Sequence, residues 1–127
     1  MSFNHVVVWI DHTQSHIIHF NPEAAENEVI KTHSTHPHLH VKSGTVRAGR
    51  APENARYFDD IANAIKDALE ILVVGPGLEK LELMKHLIKH HALIAERVVS
   101  VETVDHPSDA QTLAYARKYF VKADRMR

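Results

Sequence analysis

Three histidines alternate along a polar segment in the first half of the sequence, and imidazole is a common ligand of transition metals. They are His36, His38 and His40. In an extended chain these side chains share one face, and three imidazoles can bind Zn²⁺, Ni²⁺ or Cu²⁺. Pro37 and Gly44, however, indicate a flexible loop, and no spacing matches a known closed site. We therefore interpret the 12 histidines, including His86 and His90 on one helical face, as scattered surface residues. No metal and no other cofactor is predicted.

A cationic stretch surrounds these three histidines. No acidic residue occurs between Val29 and Pro52. The cations of this stretch and of the residues just after it are Lys31, Lys42, Arg47, Arg50 and Arg56. A local basic surface is what contact with a phosphate backbone requires, and sequence-independent RNA binding needs little more. We predict that Lys42 and the three arginines contact RNA or the ribosome. The alternative is a solvated loop whose charge only keeps it soluble.

Composition limits the class of protein. A chain of 127 residues, 44% of them hydrophobic, predicts one domain over residues 1–127. A formal net charge of −1 argues against a strongly basic nucleic-acid binder. The absence of cysteine excludes disulfides, thiolate nucleophiles and zinc–thiolate sites. The N-terminus lacks the features of a signal peptide, and no apolar run approaches the roughly 20 residues that span a bilayer. We expect a cytoplasmic protein without a membrane partner.

Apolar patterning predicts an α/β domain with the element order β-β-β-α-β-α-β-α. The predicted strands are His5–Asp11, His16–Phe20, Glu28–Ser34, Ile71–Val74 and Val98–Val104. The predicted helices cover Pro52–Leu69, Leu78–His91 and a segment opened by the capping box at Ser108 and Gln111. Three antiparallel strands come first, and helical crossovers then add two parallel strands. The result is a mixed five-stranded sheet with Ile71–Val74 at its centre.

The junction between the fourth strand and its helix has a distinct pattern. Gly75-Pro76-Gly77 supplies a turn in which glycine is expected to reach unusual φ angles. The apolar residues at helical spacing after this turn are Leu78, Leu81, Met84, Leu87 and Ile88. The turn lacks the glycine spacing of phosphate-binding loops, so nucleotide binding is not predicted.

Five segments of the chain together carry a resemblance to a known family: VVVWID (Val6–Asp11), HIIHF (His16–Phe20), VIKTHST (Val29–Thr35), VVGPGLEKLELMKHL (Val73–Leu87) and VSVETVDHPSDAQTLAYA (Val99–Ala116). In the order and spacing of these segments, the whole chain resembles the middle domain of the eukaryotic and archaeal class-I peptide release factors and of the pelota ribosome-rescue factors, standing alone. The resemblance implies a ribonuclease-H-like, three-layer α/β/α fold of the "translational machinery component" type. It also implies the ribosome or RNA as a partner.

One departure from that family bears directly on activity. In release factors, a Gly-Gly-Gln tripeptide between the third strand and the first helix helps to position the water that hydrolyses peptidyl-tRNA. The corresponding loop here, Thr35–Pro52, contains Gly44 and Gly49 but no adjacent glycines and no glutamine. We therefore expect a translation-related module that binds RNA or the ribosome without releasing peptide, and no enzymatic activity is favoured.

Two alternatives stay open. Ribonuclease-H-like enzymes hold divalent ions between carboxylates at strand ends, where they promote phosphodiester hydrolysis. Asp11 follows the first strand, and Glu102 and Asp105 lie near the end of the fifth, so these three are the candidates for such a hydrolase. The other alternative is a homodimeric protein-interaction module without a nucleic-acid partner.

Overall fold

The computed structural model describes residues 3–32 and 55–125 of the chain. Its strands are β1 (His5–Ile10), β2 (Gln14–Phe20), β3 (Ala25–Lys31), β4 (Glu70–Gly75) and β5 (Val98–Thr103). They form one sheet in the order β3-β2-β1-β4-β5. β2 is antiparallel to both β1 and β3, whereas β4 is parallel to both β1 and β5. The mixed five-stranded sheet is confirmed, but β1 is its central strand and Ile71–Val74 lies one strand away.

Helices cover both faces of this sheet. They are α1 (described over residues 55–65), α2 (Glu79–His90), α3 (Ala92–Ala95) and α4 (Asp109–Arg125). Neighbouring residues of a strand point to opposite faces. Val8 accordingly belongs to a buried cluster with Ile61 of α1 and Leu87 of α2. Val7 belongs to a second cluster with Phe120 of α4. This confirms the three-layer α/β/α arrangement. No helix in the described ranges is long and apolar enough to cross a membrane.

The buried face of α2 matches the predicted apolar spacing only in part: Leu87 is buried and Met84 packs against the core. Its buried residues are Lys80, Leu83 and Leu87. Leu78, Leu81 and Ile88 are instead 73%, 45% and 62% exposed. Apolar residues occupy much of the circumference of this helix, so their spacing does not define which band faces the sheet. Lys80 can be buried because its ammonium group donates a hydrogen bond to the Gly77 carbonyl.

Strand β3 begins earlier than predicted because a side chain closes the turn before it. The Asn21 carboxamide oxygen accepts a hydrogen bond from the Ala24 N–H at 2.7 Å, and pairing with β2 starts at Ala25. Such a turn is typical of asparagine. The Arg117 guanidinium of α4 donates to the carbonyl oxygens of Asn21 at 2.9 Å and Ala24 at 3.2 Å. These hydrogen bonds from α4 therefore stabilise the turn between β2 and β3.

The starts and ends of the helices are partly as predicted. The capping box of α4 is confirmed, because the Ser108 N–H donates to the Gln111 side-chain oxygen at 2.9 Å and the Gln111 N–H donates to the Ser108 hydroxyl at 3.1 Å. Helix α1 ends at Ile65, before the predicted Leu69. The φ angles expected at the turn after β4 are not observed, since none of the described glycines has a positive φ.

Candidate functional site

The C-terminal ends of four strands lie along the same side of the sheet. β4 and β5 run parallel to β1, and β3 shares that direction because β1 and β3 are both antiparallel to β2. The strands therefore end together, at Ile10, Lys31, Gly75 and Thr103. We call this side of the sheet the carboxyl edge. In open α/β sheets, ligands bind in the crevice outside the carboxyl ends of the strands.

The cationic stretch leaves and rejoins the described structure at this carboxyl edge. The Thr32 N–H donates to the Thr13 carbonyl at 3.0 Å, and the Tyr57 hydroxyl donates to the Asp11 carbonyl at 3.1 Å. Burial raises the pKa of Tyr57, so its hydroxyl stays protonated and remains a donor. The described residues Thr32 and Tyr57, which lie on either side of positions 33–54, are thus both hydrogen-bonded to the turn between β1 and β2.

The cations at the two ends of the stretch are exposed. Lys31 closes β3 and Arg56 lies near the start of the described part of α1, and both are open to solvent. Lys42, Arg47 and Arg50 lie outside the described residues, as do the histidine candidates His36, His38 and His40. Of the four predicted RNA contacts, Arg56 is therefore the one with a described position, and that position is accessible.

Asp11, the first of the three hydrolase candidates, organises a turn. Its Oδ1 accepts hydrogen bonds from the N–H groups of Thr13 and Gln14 at 2.8 and 2.9 Å, and from the Thr13 hydroxyl at 2.9 Å. Partial burial acts to raise the pKa of Asp11, but these hydrogen bonds outweigh it and leave the pKa below its ordinary value. The Oδ1 atom of Asp11 thereby stabilises the β1–β2 turn, while Oδ2 lies 3.9 Å from the Nε2 of His106.

The other two hydrolase candidates do not join Asp11. The Glu102 carboxylate accepts a hydrogen bond from the Ser100 hydroxyl on its own strand. The Asp105 carbonyl accepts the Trp9 indole N–H at 2.7 Å, while the Asp105 side chain is exposed. Among the described residues, the one group of three acidic or histidine side chains with ligand atoms within 4.8 Å of each other includes none of the three candidates. Within the described ranges, Asp11, Glu102 and Asp105 therefore do not form the carboxylate cluster that a ribonuclease-H-like hydrolase needs.

Two adjoining clefts open at the carboxyl edge, next to the loop after β5. The larger, of about 330 Å³, is lined by Val74, Val104, Asp105, His106, Pro107, Gln111, Thr112 and Tyr115. The smaller, of about 180 Å³, is lined by Trp9, Gln14, His16, His106, Pro107, Asp109 and Thr112. The ring centroid of His106 lies 5.2 Å from that of Trp9. Because Trp9 is only 5% exposed, it serves as a core aromatic and not as a surface for base stacking.

A second constellation lies between the helices on the opposite face of the sheet from α4. The Asp59 Oδ1 atom lies 2.7 Å from the Nε2 of His86 and 2.8 Å from the Nε2 of His91. The hydrogen bonds from His86 and then His91 lower the pKa of Asp59 below its ordinary value. This is the one group identified above whose ligand atoms lie within 4.8 Å of one another in the described ranges. We call it the Asp59 cluster.

Sequence spacing points to a different histidine pair. His86 and His90 share a helical face, and their ring centroids are indeed 4.7 Å apart. His91, however, leaves helical geometry, with φ −140° and ψ 58°, because α2 ends at His90 and α3 begins at Ala92. That break turns the imidazole of His91 back toward Asp59 on α1. The contact between Asp59 on α1 and His91 at a helix break cannot be predicted from sequence, because no regular spacing of residues accompanies it.

Comparison with solved structures identifies proteins of similar fold. Archaeoglobus fulgidus Pelota aligns with a TM-score of 0.63 at 12% identity, over 93% of this chain and 32% of its own. The archaeal translation termination factor aRF1 aligns with a TM-score of 0.57 at 12% identity, over 94% of this chain and 39% of its own. Saccharomyces cerevisiae Dom34 aligns with a TM-score of 0.53 at 11% identity, over 95% of this chain and 38% of its own.

These similarities confirm the predicted fold: the chain has the fold of a domain of the release-factor and pelota type. It spans only about a third of the length of those proteins. No protein-family model matches the sequence, and no curated protein matches it. Identity this low establishes the fold alone, so activity and partners have to be argued from the site.

Proposed function

We propose that this domain acts in a translation-related process by contacting RNA or the ribosome, and that it does so without hydrolysing peptidyl-tRNA. The fold supports the first half of this proposal. Dom34, one of the similar structures, is a translation termination-like factor involved in RNA quality control pathways and interacting with Hbs1. A ribosome-related partner in the cytoplasm is the corresponding hypothesis for this chain.

The observation that carries the proposal is the anchoring of the cationic stretch. The described residues that flank it, Thr32 and Tyr57, are hydrogen-bonded to the same turn, and the neighbouring cations Lys31 and Arg56 are exposed. The exposed positions of Lys31 and Arg56 therefore support the proposal of a basic surface at the carboxyl edge, although the protein has a formal net charge of −1. A localised basic surface on a near-neutral domain favours contact with a phosphate backbone.

The second half of the proposal depends on what the stretch lacks. It contains no glutamine and no pair of adjacent glycines, and the glutamines of the chain are Gln14 and Gln111. The Gln111 side chain accepts a hydrogen bond in the capping box of α4, and Gln14 lies in β2. Neither belongs to the stretch that corresponds to the release-factor loop.

Co-sedimentation of the full chain with ribosomes tests this function. We expect the wild-type protein to pellet with ribosomes at low salt, and the double variant Arg47→Ala/Arg50→Ala to pellet less. The matched control is Lys66→Ala/Lys118→Ala, which removes two exposed cations elsewhere. Equal loss in both double variants would indicate a nonspecific charge effect and contradict the proposal. Failure to pellet, with elution as a homodimer, would favour the interaction-module alternative.

A further inference from the structure

We propose that the Asp59 cluster binds a divalent first-row transition-metal ion, with Zn²⁺ as the representative case, through Asp59 Oδ1, His86 Nε2 and His91 Nε2. A water molecule would complete the coordination. This site is separate from the carboxyl edge and does not depend on the proposed RNA contact. It also differs from the alternating histidines at positions 36, 38 and 40, to which the sequence draws attention.

The donor set suits such an ion. Two imidazole nitrogens and one carboxylate oxygen are ligands that Zn²⁺ accepts, and three protein ligands plus water is a common arrangement for it. The ligand atoms already lie within 4.8 Å of one another. Around a tetrahedral ion with bonds of about 2.0–2.1 Å, they would be about 3.3 Å apart. The present distances of 2.7 and 2.8 Å from Asp59 Oδ1 therefore need to widen only slightly.

The three side chains are held on ordered elements. Asp59 follows Phe58 on α1; Phe58 is 4% exposed, and its ring centroid lies 5.5 Å from that of His86. The His91 N–H donates to the Leu87 carbonyl at 2.7 Å, and the His91 carbonyl accepts the Ile94 N–H at 3.0 Å. A site whose ligands are positioned by packing and backbone hydrogen bonds binds a metal with little reorganisation.

Exposure leaves room for the water ligand. The His86 side chain is 12% exposed, whereas those of His91 and Asp59 are 29% and 51% exposed. The cluster thus has an inner side formed by His86 and an outer side open to solvent, so an ion can enter and retain a water molecule. Once bound, it would connect α1 to the junction between α2 and α3.

Without a metal, the same contacts are hydrogen bonds in which both Nε2–H groups donate to Asp59. Metal binding requires each histidine to offer its Nε2 lone pair, so those protons move to Nδ1 or leave to solvent. In the metal-free cluster the histidines are hydrogen-bonded to Asp59, whereas in the metal-bound cluster the ion replaces these hydrogen bonds. Direct measurement of metal binding distinguishes them.

The test uses the full chain carrying His36→Asn, His38→Asn and His40→Asn, which removes the competing histidines. Titration calorimetry with Zn²⁺ should give one ion per chain, and Co²⁺ should produce the visible absorption of a tetrahedral site. Adding Asp59→Asn or His91→Asn should weaken Zn²⁺ binding by at least about tenfold, since even the loss of an outer partner costs that much. His19→Asn on β2 is the matched control and should bind normally.

Stability gives an independent readout. An ion that binds only the folded state raises the thermal midpoint, so Zn²⁺ should raise that of the starting variant and of His19→Asn, but not that of Asp59→Asn or His91→Asn. Circular dichroism without metal tests whether each variant is folded. If Asp59→Asn or His91→Asn is not folded, His86→Asn is used in its place. Unchanged Zn²⁺ affinity in the folded Asp59→Asn and His91→Asn variants would overturn the proposal, as would the absence of Zn²⁺ binding in the starting variant.

Discussion

Gly75, the last residue of β4, approaches Ile10 of β1 so closely that a β-carbon at position 75 would lie 2.3 Å from the Ile10 carbonyl oxygen. Glycine within a strand often marks such a close approach of two backbones. Position 75 requires glycine because a β-carbon would not fit there. Backbone conformation is not the reason, since no described glycine has a positive φ. Gly77 differs, since a β-carbon there would meet no atom within 4 Å.

Gly75→Ala should therefore lower the free energy of unfolding by about 3 kcal/mol, the cost of forcing an extra group into a filled space. Gly77→Ala, the matched control, should leave stability unchanged or raise it by about 0.4–1 kcal/mol, because alanine restricts the unfolded chain. Urea denaturation of both variants measures the difference. Equal stabilities would show that the approach of the two strands is not as close as described.

Val73→Asp should unfold the domain. Val73 is fully buried in β4, and a carboxylate there would lose its hydration without gaining a partner. We expect a loss above about 4 kcal/mol, which is comparable with the whole stability of many small domains. The control is Val99→Asp on the edge strand β5, where Val99 is 37% exposed and the new charge reaches water. Circular dichroism should show a folded control, and a native-like Val73→Asp protein would contradict the interior position of β4.

Asp11→Ala should destabilise the protein at neutral pH by about 1 kcal/mol, because three hydrogen bonds to the carboxylate are lost. The pKa of Asp11 is lowered in the folded state, so its contribution is present above the unfolded pKa of about 3.9 and is lost as pH falls through the lower folded value. The stability gap between wild type and variant should therefore narrow below about pH 4. Urea denaturation from pH 7 to pH 2 measures it, and a constant gap would contradict the role of the charge.

RNA binding should depend strongly on salt if the cationic stretch makes the contact. Each phosphate contact on a single strand contributes about −0.7 to the slope of log affinity against log salt concentration, so three or four contacts give about −2 to −3. Arg47→Ala/Arg50→Ala should flatten the slope and leave the thermal midpoint nearly unchanged, since exposed charges contribute little to stability. Fluorescence anisotropy with single-stranded RNA measures the slope. An unaltered slope would place the contact outside the cationic stretch.

The protein should release no more peptide from ribosomes charged with peptidyl-tRNA than buffer does. The expectation follows from the absence of a glutamine in the cationic stretch. A release assay with labelled peptidyl-tRNA, using a release factor as the positive control, checks it. Release above the buffer level would require another group to position water, and His40→Ala would then be the first variant to test.

Sequence patterns predicted those elements whose residues are buried on a regular period. The buried run Ile71–Val74 lies in β4, and Ser108 and Gln111 form the expected cap. The sequence predicts a later start for β3 than the structure shows, because most β3 residues are exposed at the edge of the sheet and no apolar alternation defines the bounds of the strand. The sequence does not predict the short helix α3, since four residues, Ala92–Ala95, are too few to show helical periodicity.

The candidate sites were less predictable for a physical reason. The Asp59 cluster joins Asp59 of α1 and His86 of α2 to His91, which lies between α2 and α3, and the position of the His91 side chain depends on a local departure from helical angles. The carboxylates of Asp11 and Glu102 looked similar in sequence, yet local hydrogen bonds engage both. Charge along the cationic stretch, by contrast, is a property of the sequence itself and needs no contact to be recognised.

The position of α4 in the chain has a consequence for how the domain forms during synthesis. Buried residues of β1, β2 and β4 on one face of the sheet, including Val7 and Phe20, pack against Phe120 and its neighbours in α4, which follows the other described elements in the chain. Before α4 is synthesised, that apolar face is exposed to solvent, and the β2–β3 turn lacks its hydrogen bond from Arg117. Nascent chains that stop before α4 should therefore remain incompletely folded and prone to association, and the final fold should be acquired only after α4 has been made.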